Sequence, residues 1–378
     1  VLDTVTLPYD RIEKIMQPRF ITFRTQLKRI IGKKRISEFL AEIKSRILPT
    51  LMQRFEKYRQ MQRIERERKR RELYEKYKED LEEIAKDPVK HIMEVVNFYH
   101  IGDEEAKRML IPVLASRFLP RNYRLSVVVS GPSSLGKNNL VKAFMKCTPK
   151  SWWNVLTRMT PRALDYLLPE GGSIDRVILY FMEYEGLSQA KYSVRISISE
   201  GEISVAYVAR NEKTGEMETK IRKLKGTPLI ITTTTAVQLD QDIETRTFYI
   251  EPDPSEEQTR RIREFYIELE SSLELKEKEL EIREKAKKVR LFFRLLKSYD
   301  VIIPREYLER LLGDLPLVVR ARRDDKKLIA AVKALAVLNQ FKRKKVKDSY
   351  GREFLVADIE DIEYVEKWLK EPLKKQLE

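Results

Sequence analysis

The chain has 378 residues, of which 75 are Lys or Arg and 59 are Asp or Glu, so its formal net charge is +16. One cysteine, Cys147, excludes a disulfide scaffold, and with two histidines it leaves no Cys/His zinc site. Apolar residues make up 42% of the chain, too many for a disordered polyelectrolyte, and no signal peptide or membrane-length apolar run is visible.

The basic surplus has two interpretations that composition leaves open. It is typical of a protein with a polyanionic partner, and nucleic acid is favoured over a membrane. A charged fraction of 35% is also typical of the solvated surface of a thermophilic protein. We expect a cytoplasmic protein that has DNA, and not a membrane, as its partner, and composition alone suggests a thermophilic host.

Charged helices are predicted for residues 1–95, the first of three predicted domains. Residues 53–86 contain no Gly or Pro and carry one narrow apolar stripe at three- and four-residue spacing. This helix is either a solvated linker or an arm for subunit or nucleic-acid contact. Asp87 then predicts the cap of a helix over 88–98, and another helix is predicted over 103–118.

Residues 96–255 are predicted to form an α/β core with a mostly parallel sheet. Three short β-branched runs, at 125–131, 177–183 and 227–235, are apolar almost throughout. Continuous apolar runs are typical of strands that helices cover on both faces. Helical segments lie between these runs, which is the order expected for parallel strands.

Residues 256–378 are predicted to form a helical lid with a winged-helix-like end. The predicted helices cover 255–290, 304–313 and 324–342. Residues 346–357 predict two short strands about a Tyr350-Gly351 turn, followed by a last helix that Asp358 caps.

The strongest motif is GPSSLGKN, which follows the first apolar run and fits the phosphate-loop pattern G-x-x-x-x-G-K. Small residues let backbone N–H groups converge on phosphates, and the N-terminus of the next helix favours negative charge. Lys137 is expected to reach the β- and γ-phosphates of ATP. The candidate nucleotide-binding residues are Gly131, Pro132, Ser133, Ser134, Leu135, Gly136, Lys137, Asn138 and Asn139.

The residue after this lysine departs from the usual pattern. It is commonly Ser or Thr, whose hydroxyl binds Mg²⁺, but here it is Asn138. An amide oxygen also ligates Mg²⁺, so Asn138 is a candidate metal ligand with a different reach. The cofactors expected are therefore ATP and Mg²⁺, while competence for hydrolysis stays open.

An acidic group ends the second apolar run, which continues into Met182, Glu183, Tyr184 and Glu185. A carboxylate at the end of a strand beside the phosphate-loop strand assists Mg²⁺ or orients the attacking water. Glu183 is the candidate for this role and for contact with nucleotide-bound Mg²⁺, and Glu185 is the runner-up. Met182 stands where many P-loop ATPases carry a carboxylate.

The third apolar run ends in four threonines, at 232–235. Their hydroxyls either position a phosphate or a water, or simply reflect the preference of threonine for strands. Arg246 follows in the sequence Glu244-Thr245-Arg246. It is either an ordinary surface arginine or an arginine finger that reaches the nucleotide of a neighbouring subunit.

In this order the segments resemble the AAA+ helicase-like domain attached to DNA primases of bacteria, plasmids and viruses, which is similar to the minichromosome-maintenance helicases. The resemblance rests on SVVVSGPSSLGK, ILYFMEYEG and ITTTTAVQLDQDIETRTF within residues 101–262, and continues more weakly over 320–343. It implies an AAA+ core with a helical lid, a homo-hexameric ring with ATP at subunit interfaces, and a primase domain or partner. The catalytic residues it implies are Lys137, Glu183 and Thr234 (or Thr235) within a subunit, Arg246 acting on a neighbour, and Arg323 (or Arg320) as second sensor.

A hairpin is predicted over 201–226, where apolar and polar residues alternate on either side of a turn at 211–216. In related ring motors, hairpins inserted here project into the central channel, and a lysine there grips phosphates without reading bases. The candidate DNA contacts are Lys213 at the tip and Lys220 and Arg222 on the return strand. The alternative is a surface hairpin with ordinary charges.

The leading interpretation is an ATP-dependent, ring-forming DNA helicase or translocase module that acts in DNA replication. The alternative is a nucleotide-gated DNA-binding assembly or loader protein with weak ATP hydrolysis, which Asn138 and Met182 motivate. A P-loop NTPase that acts on protein partners is a third possibility, for which the +16 charge is poor support.

Overall fold

The computed structural model describes Ser45 and residues 48–157, 173–184, 186, 196, 201–210, 216–235 and 244–377. The chain forms two compact units. One comprises Val1–Tyr77 and Ala206–Arg222, and the other comprises Lys78–Val205 and Lys223–Glu378.

The first unit contains a long, charged helix, α1 (Leu48–Lys76). Arg68 forms ion pairs with Glu65 at 3.0 Å and with Glu72 at 3.5 Å, one turn away on either side. Pairs at this spacing give an exposed helix a few tenths of a kcal/mol each, on the order of 0.2–0.5 kcal/mol. The predicted helix over 53–86 is confirmed except at Tyr77, a turn residue that separates α1 from α2 (Lys78–Lys86).

Three helices of the second unit lead to and follow the phosphate loop: α3 (Pro88–Tyr99), α4 (Glu104–Ala115) and α5 (Lys137–Cys147). The predicted cap is confirmed, because the Asp87 side chain accepts a hydrogen bond from the Lys90 backbone N–H at 3.0 Å. Short 3₁₀ turns lie at Ser116–Phe118, Arg121–Tyr123 and Lys150–Trp152.

The centre of the second unit is a five-stranded parallel sheet. Its strands are β1 (Val127–Ser130), β2 (Trp153–Leu156), β3 (Ile178–Phe181), β6 (Leu229–Thr234) and β7 (Phe248–Ile250). They lie in the order β2-β3-β6-β1-β7. Every residue of β1, β3 and β6 is buried, so helices or loops cover both faces of the central strands. The predicted α/β core and its three apolar strands are confirmed.

The strand order corrects one expectation. The acidic strand β3 was expected beside the phosphate-loop strand β1, but β6 lies between them and pairs with both. The sheet also gains two strands at its edges that the apolar runs did not predict. These are β2, which pairs with β3, and β7, which pairs with β1.

The predicted hairpin strands are confirmed as β4 (Glu202–Arg210) and β5 (Met217–Lys225), which pair in a two-stranded sheet of their own. The residues of the turn from 211 to 215 lie outside the described residues.

The C-terminal part of the second unit is mainly helical. Its helices are α6 (Glu256–Ser271), α7 (Leu273–Leu295), α8 (Arg305–Leu312), α9 (Ala321–Leu338), α10 (Ile359–Val365), a π-helical turn (Glu366–Lys370) and α11 (Glu371–Leu377). Ser272 separates α6 from α7 and caps α7, so the predicted helix over 255–290 is two helices. No helix in the described part of the chain is both long and apolar enough to cross a membrane.

The predicted strands about Tyr350-Gly351 are confirmed as β9 (Lys345–Lys347) and β10 (Glu353–Val356), which are antiparallel. A third strand, β8 (Asp300–Ile302), runs parallel to β10 on its other side. The winged-helix-like character of this end stays a prediction.

A buried ion pair connects α10 to the segment before β9. The Arg343 side chain is 3% exposed and that of Asp361 is 0% exposed, and they are joined by hydrogen bonds of 2.8 and 2.7 Å. Asp361 also accepts hydrogen bonds from the Asp358 backbone N–H at 3.1 Å and from the Asn339 amide at 3.2 Å. The carboxylate therefore caps α10 and neutralises a buried guanidinium at once.

We expect Asp361→Ala to lower the free energy of unfolding by about 3 kcal/mol or more, because it leaves Arg343 buried without its main counter-charge. Urea unfolding followed by circular dichroism measures this loss. Glu363→Ala, which removes an exposed carboxylate from the same helix, is the control and should change stability by less than about 0.5 kcal/mol. Equal losses for the two variants would contradict a structural role for the buried pair.

Candidate functional site

The phosphate loop, residues 131–136, has the backbone conformation that an anion site requires. Gly131, Ser134 and Gly136 have φ values of 136°, 70° and 75°, in the left-handed region. Residues with positive φ among residues with negative φ turn successive backbone N–H groups toward one concave side. α5 begins directly after the loop, so its N-terminal N–H groups face the same space.

The side chain of Lys137, the first residue of α5, folds back onto the phosphate loop. This side chain is largely buried, and its Nζ donates hydrogen bonds of 2.6 Å to the carbonyl oxygens of Gly131 and Pro132. Burial lowers the pKa of the Lys137 ammonium. An anion held by the loop N–H groups would therefore meet a positive charge that is already positioned.

One cavity brings the predicted catalytic groups of three strand ends together. Because parallel strands end at the same edge of a sheet, the residues after β1, β3 and β6 are neighbours. The lining residues are the loop from Ser133 to Asn139 together with Met182, Glu183, Thr233, Thr234 and Thr235. Glu183 is exposed and Thr234 is buried. The candidate residues Lys137, Asn138, Glu183 and Thr234 thus line one cavity.

Asn138 is held by two hydroxyl groups of the sheet. Its Oδ1 accepts a hydrogen bond of 2.6 Å from the Tyr180 hydroxyl and lies 3.1 Å from the Thr233 hydroxyl. The Thr233 hydroxyl also donates to the Met182 carbonyl oxygen. Burial raises the pKa of Tyr180, which keeps its phenol protonated and able to donate. The amide oxygen expected to meet Mg²⁺ is thus already engaged by the protein.

The candidate arginines are not among the residues that line this cavity. Arg246 is half-buried in the turn before β7, and neither it nor Arg323 is among the residues that line the cavity. Arg323 donates to the Thr245 hydroxyl, and Arg320 forms an ion pair of 3.1 Å with Glu244. The two candidates for the second sensor therefore contact the segment that carries Arg246.

Two of the three candidate DNA contacts lie on β5. Lys220 and Arg222 belong to this strand, and Lys213 lies outside the described residues. Glu185, the runner-up to Glu183, also lies outside them.

A second cavity, which Glu183 does not line, adjoins the phosphate loop, and the sequence does not predict it. Its volume is about 610 Å³. We call it the flanking cavity. Its lining residues are Tyr99, His100, Ile101, Asp103, Asp253, Pro254, Gln258, Thr259, Ile262, Phe265 and Tyr266, with Pro132 to Gly136 and Asn139 of the loop segment.

Polar contacts fasten the wall of the flanking cavity to the phosphate loop. His100 Nε2 lies 2.6 Å from the Asp103 carboxylate, and its Nδ1 lies 3.3 Å from the Asn139 amide. The His100 ring also packs on Gly136, where an added Cβ would lie 3.3 Å from Cε1. A small residue at 136 is thus required both by its positive φ and by this close approach.

Comparison with known proteins identifies a family and a relative of this chain. The family model described as the MTBMA_p00010 P-loop domain matches residues 75–297, more than half of the chain. The uncharacterized protein MTBMA_p00010 of Methanothermobacter marburgensis is 23% identical over 267 residues, which are 71% of this chain and 32% of that protein. The chain therefore spans about a third of the length of this curated relative.

Proposed function

The chain belongs to the MTBMA_p00010 P-loop domain family, and we propose that it is an ATP-dependent motor module that forms a hexameric ring and translocates on DNA, or unwinds it, during replication. A P-loop domain indicates a nucleotide-binding NTPase in general. The observation that carries the proposal is the single cavity in which Lys137, Glu183 and Thr234 meet.

The residues of this cavity suit a nucleoside triphosphate. The loop N–H groups and Lys137 would bind the phosphates. Glu183, which is exposed, would accept a hydrogen bond from the attacking water, and Thr234 would hydrogen-bond the terminal phosphate. Mg²⁺ that arrives with the nucleotide would neutralise phosphate charge.

The arginines support a role at a subunit interface. In the proposed ring, Arg246 serves the nucleotide of the adjacent subunit, and Arg323 or Arg320 senses nucleotide from the lid. Support comes from the contacts of Arg320, which precedes α9, and of Arg323, in α9, with Glu244 and Thr245. These contacts connect the lid helix to the segment of Arg246. The ring itself and a primase partner are proposed from the sequence resemblance.

The proposed nucleic-acid partner, along which the motor would move, is single-stranded or forked DNA. Support comes from the net charge of +16 and from the two-stranded sheet of β4 and β5, with Lys213 in its turn segment and Lys220 and Arg222 on its second strand. Contacts of this kind bind the phosphate backbone without regard to sequence, as a motor requires.

One observation favours the second candidate, a nucleotide-gated assembly or loader protein with weak hydrolysis. The Asn138 amide oxygen, at the position that normally supplies a Mg²⁺ ligand, is engaged by Tyr180 and Thr233. Such a site would hold ATP through Lys137 and the loop while supporting the metal poorly.

The motor proposal predicts ATP hydrolysis that single-stranded DNA stimulates and that Lys137→Ala abolishes, because the variant loses the charge that binds the β- and γ-phosphates. Phosphate release by the purified chain, with and without an oligonucleotide, is the measurement. Tight ATP binding with negligible turnover on any DNA would overturn the motor and favour the assembly protein.

For the assembly protein, Asn138→Thr is expected to raise the turnover number about tenfold or more, since a hydroxyl returns to the metal-facing position. Steady-state phosphate release at saturating ATP measures this, with a thermal melt to verify folding. The double variant with Lys137→Ala is the control and should lose the gain. Unchanged turnover in Asn138→Thr would show that the amide does not limit hydrolysis.

The DNA proposal predicts that Lys213→Glu abolishes stimulation by single-stranded DNA and leaves ATP affinity intact, because the charge reversal repels the phosphate backbone. Stimulation is measured by titrating an oligonucleotide at fixed ATP. Lys276→Glu, the same reversal at an exposed position of α7, should retain stimulation. If both variants respond alike, the turn between β4 and β5 is not the DNA contact.

A further inference from the structure

We propose that Gln258 makes the flanking cavity selective for adenine, by accepting a hydrogen bond at Oε1 from the exocyclic amino group of the base. The inference rests on the proposed nucleotide-binding function and adds the chemical group by which this site distinguishes one nucleotide from another.

The flanking cavity adjoins the phosphate loop, and we place the base of a loop-bound nucleotide in it. It shares Ser133, Ser134 and Gly136 with the cavity that holds Lys137 and Glu183. Its volume of about 610 Å³ is within the ordinary range for small-molecule sites, roughly 300–1,000 Å³. Phe265 and Ile262 of α6 line it and offer apolar surface to a flat ring.

Gln258 has one satisfied and one unsatisfied polar atom. The side chain is 3% exposed, and its Nε2 donates a hydrogen bond of 2.5 Å to the Ile101 carbonyl oxygen. This bond fixes the amide, because the opposite orientation would place two oxygens against each other. Oε1 is buried and has no hydrogen-bond partner. A buried acceptor without a partner costs free energy that a ligand donor would recover.

The two carboxylates on this wall already have protein partners. The Asp103 carboxylate contacts His100 and accepts a 2.7 Å hydrogen bond from the Asp253 backbone N–H. The Asp253 carboxylate accepts hydrogen bonds from the backbone and hydroxyl of Ser255. Among the described residues that line the flanking cavity, Gln258 Oε1 is the buried side-chain atom that lacks a partner.

An acceptor at this point discriminates between purines. The 6-amino group of adenine donates to it, whereas the 6-oxo group of guanine or hypoxanthine would place a second acceptor against it. A site that hydrogen-bonds a ligand donor rejects analogues without that donor strongly, since its own buried group is then left unpaired.

Gly102 is the residue that leaves room for this amide. Its φ is +70°, and an added Cβ would lie 1.8 Å from Gln258 Oε1. Gly102→Ala must therefore displace the amide from the position that it holds, which provides a second variant that leaves Gln258 itself in place.

The test compares ATP with purine riboside triphosphate, which is ATP without the 6-amino group, and with GTP. Dissociation constants are measured by calorimetry on the full chain carrying Glu183→Gln, which limits turnover during titration. We expect ATP to bind about tenfold more tightly than purine riboside triphosphate, the worth of about one hydrogen bond to a buried acceptor. GTP should bind more weakly than either.

In the same background, Gln258→Leu should bring this ratio to about one by weakening ATP, while the affinity for purine riboside triphosphate stays nearly unchanged. That unchanged affinity also shows that the variant is folded. Gly102→Ala should reduce the ratio likewise, and Glu257→Leu, at the exposed neighbouring position of α6, should preserve it.

Equal affinities for ATP and purine riboside triphosphate before the substitution, or an unaltered ratio in Gln258→Leu, would overturn the inference while the nucleotide site stands. Binding of none of the triphosphates by the folded chain would overturn the proposed function, and this inference with it.

Discussion

The parallel alignment of five strands is the constraint on which the site depends. Because β1, β3 and β6 run in one direction, the phosphate loop, Glu183 and the threonines all emerge at one edge of the sheet. Hydrogen bonds among Tyr180, Asn138 and Thr233 then join these three strand ends. The network fixes the first turn of α5 against the sheet, and with it the loop that folds around Lys137.

The sequence predicts the elements of this core well, and their order poorly. A continuous β-branched run identifies β1, β3 and β6 because burial on both faces removes every polar position. Because all three runs are uniformly apolar, their sequences do not indicate which strands are neighbours. The position of β6 between β1 and β3 is therefore not predictable from them. β7 has three residues and β2 lies at an edge with Val155 exposed, so neither produces a clear run.

The sequence likewise predicts the site residues that a local motif identifies, and it misses those that only long-range contacts bring to the site. Gly131, Gly136 and Lys137 are found by spacing, because the loop conformation is encoded within eight residues. Tyr180 is indistinguishable in sequence from a core aromatic, and only the fold places its hydroxyl on Asn138. Gln258 is one polar residue in a charge-dense helix, and its burial depends on Ile101 and Gly102, more than 150 positions earlier. Contacts at such separation have no periodicity by which to recognise them.

The attachment of α9 to the turn before β7 has a mechanical consequence. Arg320 and Arg323 bind Glu244 and Thr245, and the buried Lys327 donates a 3.1 Å hydrogen bond to the Thr247 carbonyl oxygen. Most of α9 beyond this point is packed in the interior and contacts α4, α8 and α10. Closely packed interiors shift as stiff bodies and transmit strain. If residues 244–247 moved, α9 would therefore move with them as a rigid body. The movement would reach the helices that α9 contacts instead of being absorbed by a loop.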